Sequence, residues 1–322
     1  MDQQQLIVLA MGAAHRAHRE FAVDPRLRVD VFGALGRAGA YVFFRPLKSM
    51  CGAYLPSGEG LPGLLINSNL PLSTQRYTAG HELGHVFLKH KTVSLDKEVG
   101  FVPELRSGVD EDEVVAEAFA AFFLMPKPLV IASIKELGIN TQQLRPRDVY
   151  LLSLRMGTSF QATINQLQTL KVIQRATAEK LRELTPKQIK QDLNDDRALG
   201  RHDIWVLDEH WNGKQIYPAP EDTIRIQLAE IPSSGYTWLL DEQPTGVQLV
   251  EDKYADSDQQ EVIGGSRLHE FVARVQDNVR PARLMLEKRR PWEKTGRRAE
   301  FFVEIEPQEY RRTGPLELPK LA

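Results

Sequence analysis

The stretch Arg76 to His90, RYTAGHELGHVFLKH, contains His81-Glu82-Leu83-Gly84-His85, and the reading of this pentad decides what the first half of the chain is built to hold. On an α-helix, residues four apart differ by about 40° of azimuth and about 6 Å of rise, so His81 and His85 share one face. Two imidazoles so placed can chelate one metal ion. Glu82 follows the first histidine directly, which puts it beside the ion without forcing it to coordinate, where a base for a bound water belongs. Ala79, Leu83, Val86 and Phe87 supply apolar positions around the pair, as a buried helix requires. Ser73 or Thr74 is the expected cap. Gly84 lowers helix propensity and is expected to face the metal, leaving room for a substrate backbone.

Two histidines leave a four-coordinate metal short of a protein ligand, and a carboxylate is a usual third. Helical periodicity resumes at Val109 to Leu124, where Val114, Val115, Ala118, Phe119, Phe122 and Phe123 form a broad apolar face and Pro126 and Pro128 end the run. Glu111, Asp112, Glu113 and Glu117 are the candidate ligands. Ala116 and Ala120 are small enough to let this helix approach the first closely. Periodicity alone leaves Glu113 and Glu117 competing, while Asp110 to Asp112 also suit the positive end of a helix dipole.

The string HELGHVFLKH followed by Glu113-Val114-Val115-Ala116-Glu117-Ala118-Phe119-Ala120-Ala121-Phe122-Phe123-Leu124-Met125-Pro126 resembles the ImmA/IrrE family of bacterial metallopeptidases. The resemblance runs from near residue 40 to about residue 185, with Phe123 where the family usually has Leu. It implies a zincin-like fold and a zinc-dependent metalloendopeptidase in which Glu113 joins His81 and His85 as metal ligand and Glu82 is the catalytic base. It also implies a protein substrate of the helix-turn-helix repressor class, cleaved in a stress or mobile-element response. Zinc is the expected ion, with manganese or iron as alternatives for the same ligands. Tyr54 and Tyr150 are the candidates for oxyanion stabilisation.

At 322 residues the chain is long enough for two domains with proper cores. A net charge of −2, with 26% charged residues, gives no global attraction to nucleic acid or membrane. No run approaches the roughly 20 apolar residues of a membrane span. Leu6 to Ala14 lacks a basic start and a cleavage site, so residues 1–21 read as an amphipathic helix rather than a signal peptide. The single cysteine, Cys51, rules out an internal disulfide and fits a reducing cytoplasm, the expected location. His15 and His18, at i and i+3, lack a neighbouring carboxylate or cysteine pair and read as a solvated helix face.

Ala40 to Phe44, Met50 to Leu55 and Leu64 to Asn67 read as the strands of a small sheet before the pentad helix. Cys51 to Leu55 is the expected edge strand, available to pair with an extended substrate. Lys91 to Ser107 is polar and irregular. His90 is expected to support the metal ligands by hydrogen bonding. Leu151 to Ile173 has the rhythm of two helices joined at Met156-Gly157-Thr158-Ser159, a helix-turn-helix-like reading. Its Gln161, Thr163, Gln166 and Gln168 read as exposed and are neutral, so direct nucleic-acid binding is not expected.

Composition changes near Asp192 to Arg201, and strands dominate from Ile204 onward. Runs at 204–207, 223–228, 237–240, 247–250, 269–275, 282–288 and 299–305, separated by turn-rich loops, predict a β-sandwich. Ile231-Pro232-Ser233-Ser234-Gly235-Tyr236-Thr237-Trp238, Ile263-Gly264-Gly265-Ser266 and Arg290-Pro291-Trp292 occur in that order. They resemble the three loops of chagasin-type inhibitors of papain-like cysteine peptidases. Ile231 stands where that family has Asn, Ser233-Ser234 replace Thr-Thr, and the glycine loop lacks the full spacing. The resemblance implies an immunoglobulin-like sandwich whose partner-binding loops include Ile231, Pro232, Ser233, Ser234, Gly235, Tyr236, Gly264, Gly265, Arg290, Pro291 and Trp292. Arg280, Arg283, Lys288, Arg289, Arg290, Lys294, Arg297 and Arg298 read as solvated positions offset by Glu287, Glu293 and Glu300.

The expected fold class is therefore α+β: a zincin-like helical metallopeptidase domain with a small sheet, a helical bundle segment, and an all-β immunoglobulin-like sandwich. The expected divisions are 1–195, including the helix-turn-helix-like segment 146–193, then 196–308 for the chagasin-like sandwich and 309–322 for a tail. The sandwich would recognise a partner, recruit the substrate or mask the cleft. The alternative is a protein-binding or protease-inhibitory module whose metal domain is regulatory.

Overall fold

A computed structural model describes residues 2–56, 60–91, 94–96, 110–194, 200, 202–254, 265–293, 299–308 and 314–315. In chain order the first elements are α1 (Gln3–Glu20), α2 (Val31–Arg37), β1 (Tyr41–Arg45), β2 (Gly52–Leu55), β3 (Gly63–Asn67), α3 (Leu72–Leu88), β4 (Ser94–Asp96) and α4 (Glu111–Leu124). Next come α5 (Lys127–Glu136), α6 (Pro146–Met156), α7 (Phe160–Thr169), α8 (Arg175–Arg182) and α9 (Pro186–Leu193). Strands follow: β5 (Ile204–Leu207), β6 (Lys214–Ile216), β7 (Thr223–Glu230), β8 (Thr237–Glu242), β9 (Val247–Tyr254), β10 (Arg267–Val275), β11 (Ala282–Arg289), β12 (Ala299–Ile305) and β13 (Gly314–Pro315). The fold is α+β, helical in its N-terminal region and β-rich in its C-terminal region. Two compact units divide it: Met1–Lys135 with Ile139–Leu184 and Tyr310–Ala322, and Glu136–Gly138 with Thr185–Glu309. Relative to the sequence division, α9 falls in the second unit and Gly314–Pro315 in the first.

In the first unit, one sheet has the order β13-β1-β3-β2-β4, with β1 parallel to β3 and the other pairs antiparallel. Val42 and Phe44 point inward while Tyr41, Phe43 and Arg45 are exposed, the alternation of a sheet buried on one face. The expected edge strand is internal: β2 pairs with β3 on one side and with β4 on the other. The sequence missed β4 because three residues held by backbone hydrogen bonds carry no side-chain pattern.

The helices pack through small residues. Leu6, Ala10, Ala13, Ala14 and Ala17 form the buried stripe of α1, which lies along α4. His15 is exposed, but His18 is buried, against the expectation of a solvated pair. Its Nε2 lies 2.8 Å from the Phe123 carbonyl and its ring stacks on Phe123. By length and hydropathy, Glu111–Glu136 reaches the range of a membrane span, contrary to the sequence reading. The Met125-Pro126 corner divides this run into α4 and α5, and 72% of its most apolar window is buried, as suits a core helix. The helix-turn-helix-like turn is present, with Gly157 left-handed after α6 and Ser159 capping α7. Thr163 and Gln166 are buried rather than exposed, and Gln166 donates to the Met125 carbonyl. The polar side of α7 is thus partly spent inside the fold.

In the second unit, all seven expected strands form, together with β6, whose three residues gave no signal. They build two sheets, β5-β7-β10-β9 and β6-β12-β11-β8. Ile226, Val247, Phe271 and Ala273 of the first sheet and Leu240, Leu284 and Leu286 of the second line one apolar interior. On β12, Phe301, Val303 and Ile305 are buried at alternate positions, which fixes its register.

Candidate metal centre and clustered loops

Two glycines set the geometry of the centre. A Cβ at Gly84 would come 3.1 Å from Ala116 Cα and 3.2 Å from a Phe119 ring carbon; one at Gly80 would meet Leu124 and Ala120. Gly84 therefore faces α4 and permits close helix approach, which corrects the expectation that it faces the metal. Ala116 and Ala120 are the matching small residues. Helix α3 starts at Leu72 behind Pro71 without a side-chain cap, so neither Ser73 nor Thr74 plays that part. Helix α4 is capped by Asp110, and Glu111, Asp112 and Glu113 occupy its first turn, where negative charge suits the dipole.

This approach brings His81, His85 and Glu113 together, with one ligand atom from each lying within 4.8 Å of the others. His81 Nε2 is 3.1 Å from His85 Nε2 and 3.2 Å from Glu113 Oε2, and His85 Nε2 is 3.6 Å from Glu113 Oε1. Metal bonds of 2.0–2.1 Å at tetrahedral angles separate neighbouring donors by about 3.3 Å. Two imidazole nitrogens and a carboxylate oxygen at this spacing fit a divalent ion of the zinc class. Both histidines are buried. Of the two competing glutamates, Glu113 lies beside the histidine Nε2 atoms, while Glu117 Oε2 sits 3.1 Å from His81 Nδ1, on the nitrogen facing away from the cluster.

His90 stands behind the other histidine, its Nδ1 2.9 Å from His85 Nδ1 and its Nε2 3.5 Å from Asp112. Burial, and then the neighbouring His85, hold the His90 pKa below its ordinary value against the opposing pull of Asp112, Glu113 and Asp110. Tyr54 stacks on His85 and donates to the His90 carbonyl. Burial, then the charge of Glu82, push its phenol pKa up. Tyr150, the other oxyanion candidate, is buried in α6. Glu82 is fully buried. A Cβ at Gly52 would fall 2.9 Å from Glu82 Oε1 and 2.4 Å from Thr78 Cγ2, so the bare backbone of β2 borders this carboxylate. That role of Gly52 has no signature in the sequence.

In the second unit, residues 231–236 and 290–292 meet. Pro232–Ser234 form a 3₁₀ turn closed by left-handed Gly235, and Ser234 Oγ donates to the Ile231 carbonyl. A Cβ at Gly235 would lie 2.9 Å from the Trp292 ring, and Arg290 covers the ring of Tyr236. Trp292 is nevertheless 69% exposed, with Pro291 and Ile231 also at the surface. Gly265 is described just before β10; Gly264 lies outside the described residues. Of the basic cluster, Arg283 pairs with Glu304, Arg289 with Glu287 and Arg290 with Glu293, while Lys294, Arg297 and Arg298 lie outside the described residues.

Sequence reasoning missed a hub beneath these loops. Glu230, the last residue of β7, is 1% exposed and accepts from the Trp238 amide, the Tyr254 hydroxyl and His269. His269 Nε2 reaches on to Asp252 at 2.6 Å. Burial pushes the Glu230 carboxyl up, but the bonds from Tyr254, Trp238 and His269 together outweigh it and hold it below its ordinary range. A glutamate two residues before a Pro-Ser-Ser-Gly turn was the available signal.

Comparison with known proteins gives each unit a likeness. Residues 35–167 match the family model of the IrrE N-terminal-like domain, and residues 219–305 match that of the chagasin family of peptidase inhibitors. No curated protein matches the chain. Similar solved structures include the cysteine protease inhibitor EhICP2 from Entamoeba histolytica, at 22% identity over 34% of this chain and 99% of that one, with a TM-score of 0.31. Amebosin shares 22% identity over 34% of this chain and all of its own, with a TM-score of 0.29. PbICP-C, solved in complex with falcipain-2, shares 15% identity over 33% of this chain and 91% of its own, with a TM-score of 0.20. This chain thus joins an IrrE N-terminal-like, metallopeptidase-type segment at residues 35–167 to a chagasin-family segment at residues 219–305.

Proposed function

We propose that the chain is a metal-dependent endopeptidase acting on a specific protein, with the β-rich unit selecting a partner through its loops. The observation that carries this reading is the meeting of two imidazole nitrogens and a Glu113 oxygen at tetrahedral spacing, with buried Glu82 directly following the first ligand in sequence. His81, His85 and Glu113 would hold the ion, zinc by preference and manganese or iron by the same ligand chemistry. A divalent ion there supplies Lewis acidity, which polarises a scissile carbonyl and acidifies a water. Glu82 takes the proton of the attacking water and delivers it to the leaving amine. Glu82 is fully buried, whereas the Glu113 side chain is 33% exposed, so the cluster meets solvent at Glu113. Tyr54, one of the two oxyanion candidates, stacks on His85. A helix-turn-helix repressor in a stress or mobile-element response, cleaved in the cytoplasm, is the substrate class that the family resemblance favours.

The test uses the full chain with Glu82→Gln. It is expected to bind one zinc with wild-type affinity, to lose about 10²- to 10⁴-fold in peptide hydrolysis, and to retain its substrate in a pull-down read by mass spectrometry. Hydrolysis at the wild-type rate by the metal-loaded variant would reject the reading.

Exposed Trp292 and Ile231, on two loops held together by Gly235, favour a second reading in which the β-rich unit inhibits a papain-like cysteine peptidase. Titrating such a peptidase with the Glu82→Gln chain decides it. Saturable inhibition at micromolar protein supports the reading, and full residual activity removes it.

A further inference from the structure

The loop from Ile231 to Tyr236 joins strands of different sheets, β7 of one and β8 of the other, so among the described residues no backbone ladder ties its two ends together. A side chain does so instead. Glu230 ends β7 and Trp238 is the second residue of β8, and Glu230 Oε2 accepts from the Trp238 amide at 2.8 Å. Trp238 Nε1 donates to the Ala229 carbonyl at 3.2 Å. Lys288 of β11, whose ammonium lies over the Trp238 ring, donates to the same carbonyl. Glu230 is held in turn. The Tyr254 hydroxyl donates to its Oε1, and His269 Nδ1 lies 3.1 Å from its Oε2. The other nitrogen of that ring, Nε2, lies 2.6 Å from Asp252 Oδ1. His269 is buried and the rings of Tyr254 and Phe271 stack on it, while Asp252 is half exposed. Both polar neighbours of the imidazole are thus carboxylates, which only accept. A neutral imidazole has one N–H and would set a lone pair against one of them. The imidazolium donates to both, and the two anions offset the cost of burying its charge.

We infer that Asp252, His269 and Glu230 form a charged relay that clamps the base of the 231–236 loop, closed while His269 carries two protons and released when one leaves. The relay runs from a half-exposed carboxylate on β9 through a buried imidazole on β10 to the carboxylate that bridges the loop ends. The groups that face the imidazole are Glu230 from β7 and Asp252 and Tyr254 from β9. Lys288 reaches the loop base from the other sheet, and Glu270, the next residue on β10, is turned to Arg225 and Lys253. The signs follow from the bonds. Loss of a proton from His269 as pH rises leaves one carboxylate facing a lone pair, so the clamp weakens toward alkaline pH. At the acid end it fails when Glu230 is protonated. Burial raises the Glu230 carboxyl, but the bonds from Tyr254, Trp238 and His269 bring it below its ordinary range, which extends the closed state downward in pH. The purpose of the clamp rests on the reading of these loops as partner-binding: it fixes exposed Ile231, and Gly235 on which Trp292 rests. The clamp itself is a property of the free chain.

The experiment uses the full chain. Long-range ¹H–¹⁵N NMR of His269 and hydrogen exchange of the Trp238 amide, corrected for its intrinsic pH dependence, are followed together upward from about pH 6. In wild type both nitrogens of His269 should carry protons at the start, and Trp238 exchange should speed up about tenfold or more as one proton is lost. His269→Gln, which does not titrate, should abolish this pH dependence and leave Trp238 exchanging fast throughout, with the Val206 amide on β5 unchanged. Asp252→Asn, at a half-exposed position that the fold tolerates, should move both the loss of the proton and the loss of protection to lower pH. That variant keeps the test decisive should His269→Gln fail to fold. A singly protonated His269 in wild type at about pH 6, Trp238 exchange that does not follow the titration of His269, or Asp252→Asn curves that coincide with wild type would overturn the inference. If the clamp responds as expected while the chain inhibits no papain-like peptidase at any pH, the inhibitory reading of the loops falls and the clamp stands.

Discussion

Gly84 on α3 lies against Ala116 on α4 so closely that an added Cβ would sit 3.1 Å from Ala116 Cα and 3.3 Å from its carbonyl oxygen. The contact involves backbone on the α4 side, so it cannot be relieved by a side-chain rotation. The distance between the histidines and Glu113 is set by this approach of two helices.

Gly84→Ala is therefore expected to destabilise the first unit although alanine is the better helix former. Overpacking of a close contact costs about 1–3 kcal/mol, against a propensity gain of about 1 kcal/mol. Thermal unfolding should show a lower midpoint, and zinc competition a weaker site. Gly80→Ala should be milder, because its nearest neighbour is the movable end of Leu124 at 3.2 Å. Equal effects of the two substitutions would contradict this account.

At Gly52 a methyl group would strike Thr78 Cγ2, the Leu65 carbonyl and Glu82 Oε1. Gly52→Ala is expected to displace the Glu82 carboxylate while leaving His81, His85 and Glu113 in place. Zinc stoichiometry should hold and kcat should fall about 100-fold, the scale of a misplacement near 1 Å. An unchanged kcat would show that Glu82 does not work from the position seen here.

Glu230 gathers donors from β8, β9 and β10 onto the end of β7. Glu230→Ala leaves buried donors without this acceptor, each costing about 1–3 kcal/mol, and the β-rich unit should unfold at lower temperature. The pH dependence has a definite sign. Burial raises the Glu230 pKa, and the bonds from Tyr254, Trp238 and His269 bring it below the ordinary 4.5. Its ionised form thus stabilises the fold above about pH 4.5, and this contribution is lost as pH falls through the lower folded value. The Glu230→Gln protein should show a flatter decline in stability over that acid range, with Asp252, Tyr254 and His269 still facing the site in both proteins. Parallel acid curves for the two proteins would refute the assignment.

Trp292 rests on Gly235 yet keeps 69% of its surface exposed. If the loops grip a papain-like peptidase, Trp292→Ala should weaken inhibition about 30-fold or more, the scale of an interface hot spot, with the unfolding midpoint unchanged. A parallel loss of stability would make Trp292 a structural residue.

The sequence by itself determined the chemistry on offer and much of the secondary structure. Helical spacing put His81 and His85 on one face, Ala116 and Ala120 marked a close helix contact, and alternation located all seven expected β runs in the second half. These are local signals, fixed by the period of a helix or strand. Tertiary structure decided which atoms meet. Only the approach of α4 to α3 separates Glu113, at the shared face of the histidines, from Glu117, behind His81, because both glutamates lie on one helix face one turn apart. The same approach turned Gly84 toward Ala116 rather than the metal. Backbone pairing with three-residue β4 made β2 internal, and the chain reversal after Lys89 laid His90 on His85. None of these relations has a periodic signature, since each joins residues brought together by backbone hydrogen bonding or by packing between elements distant in the chain.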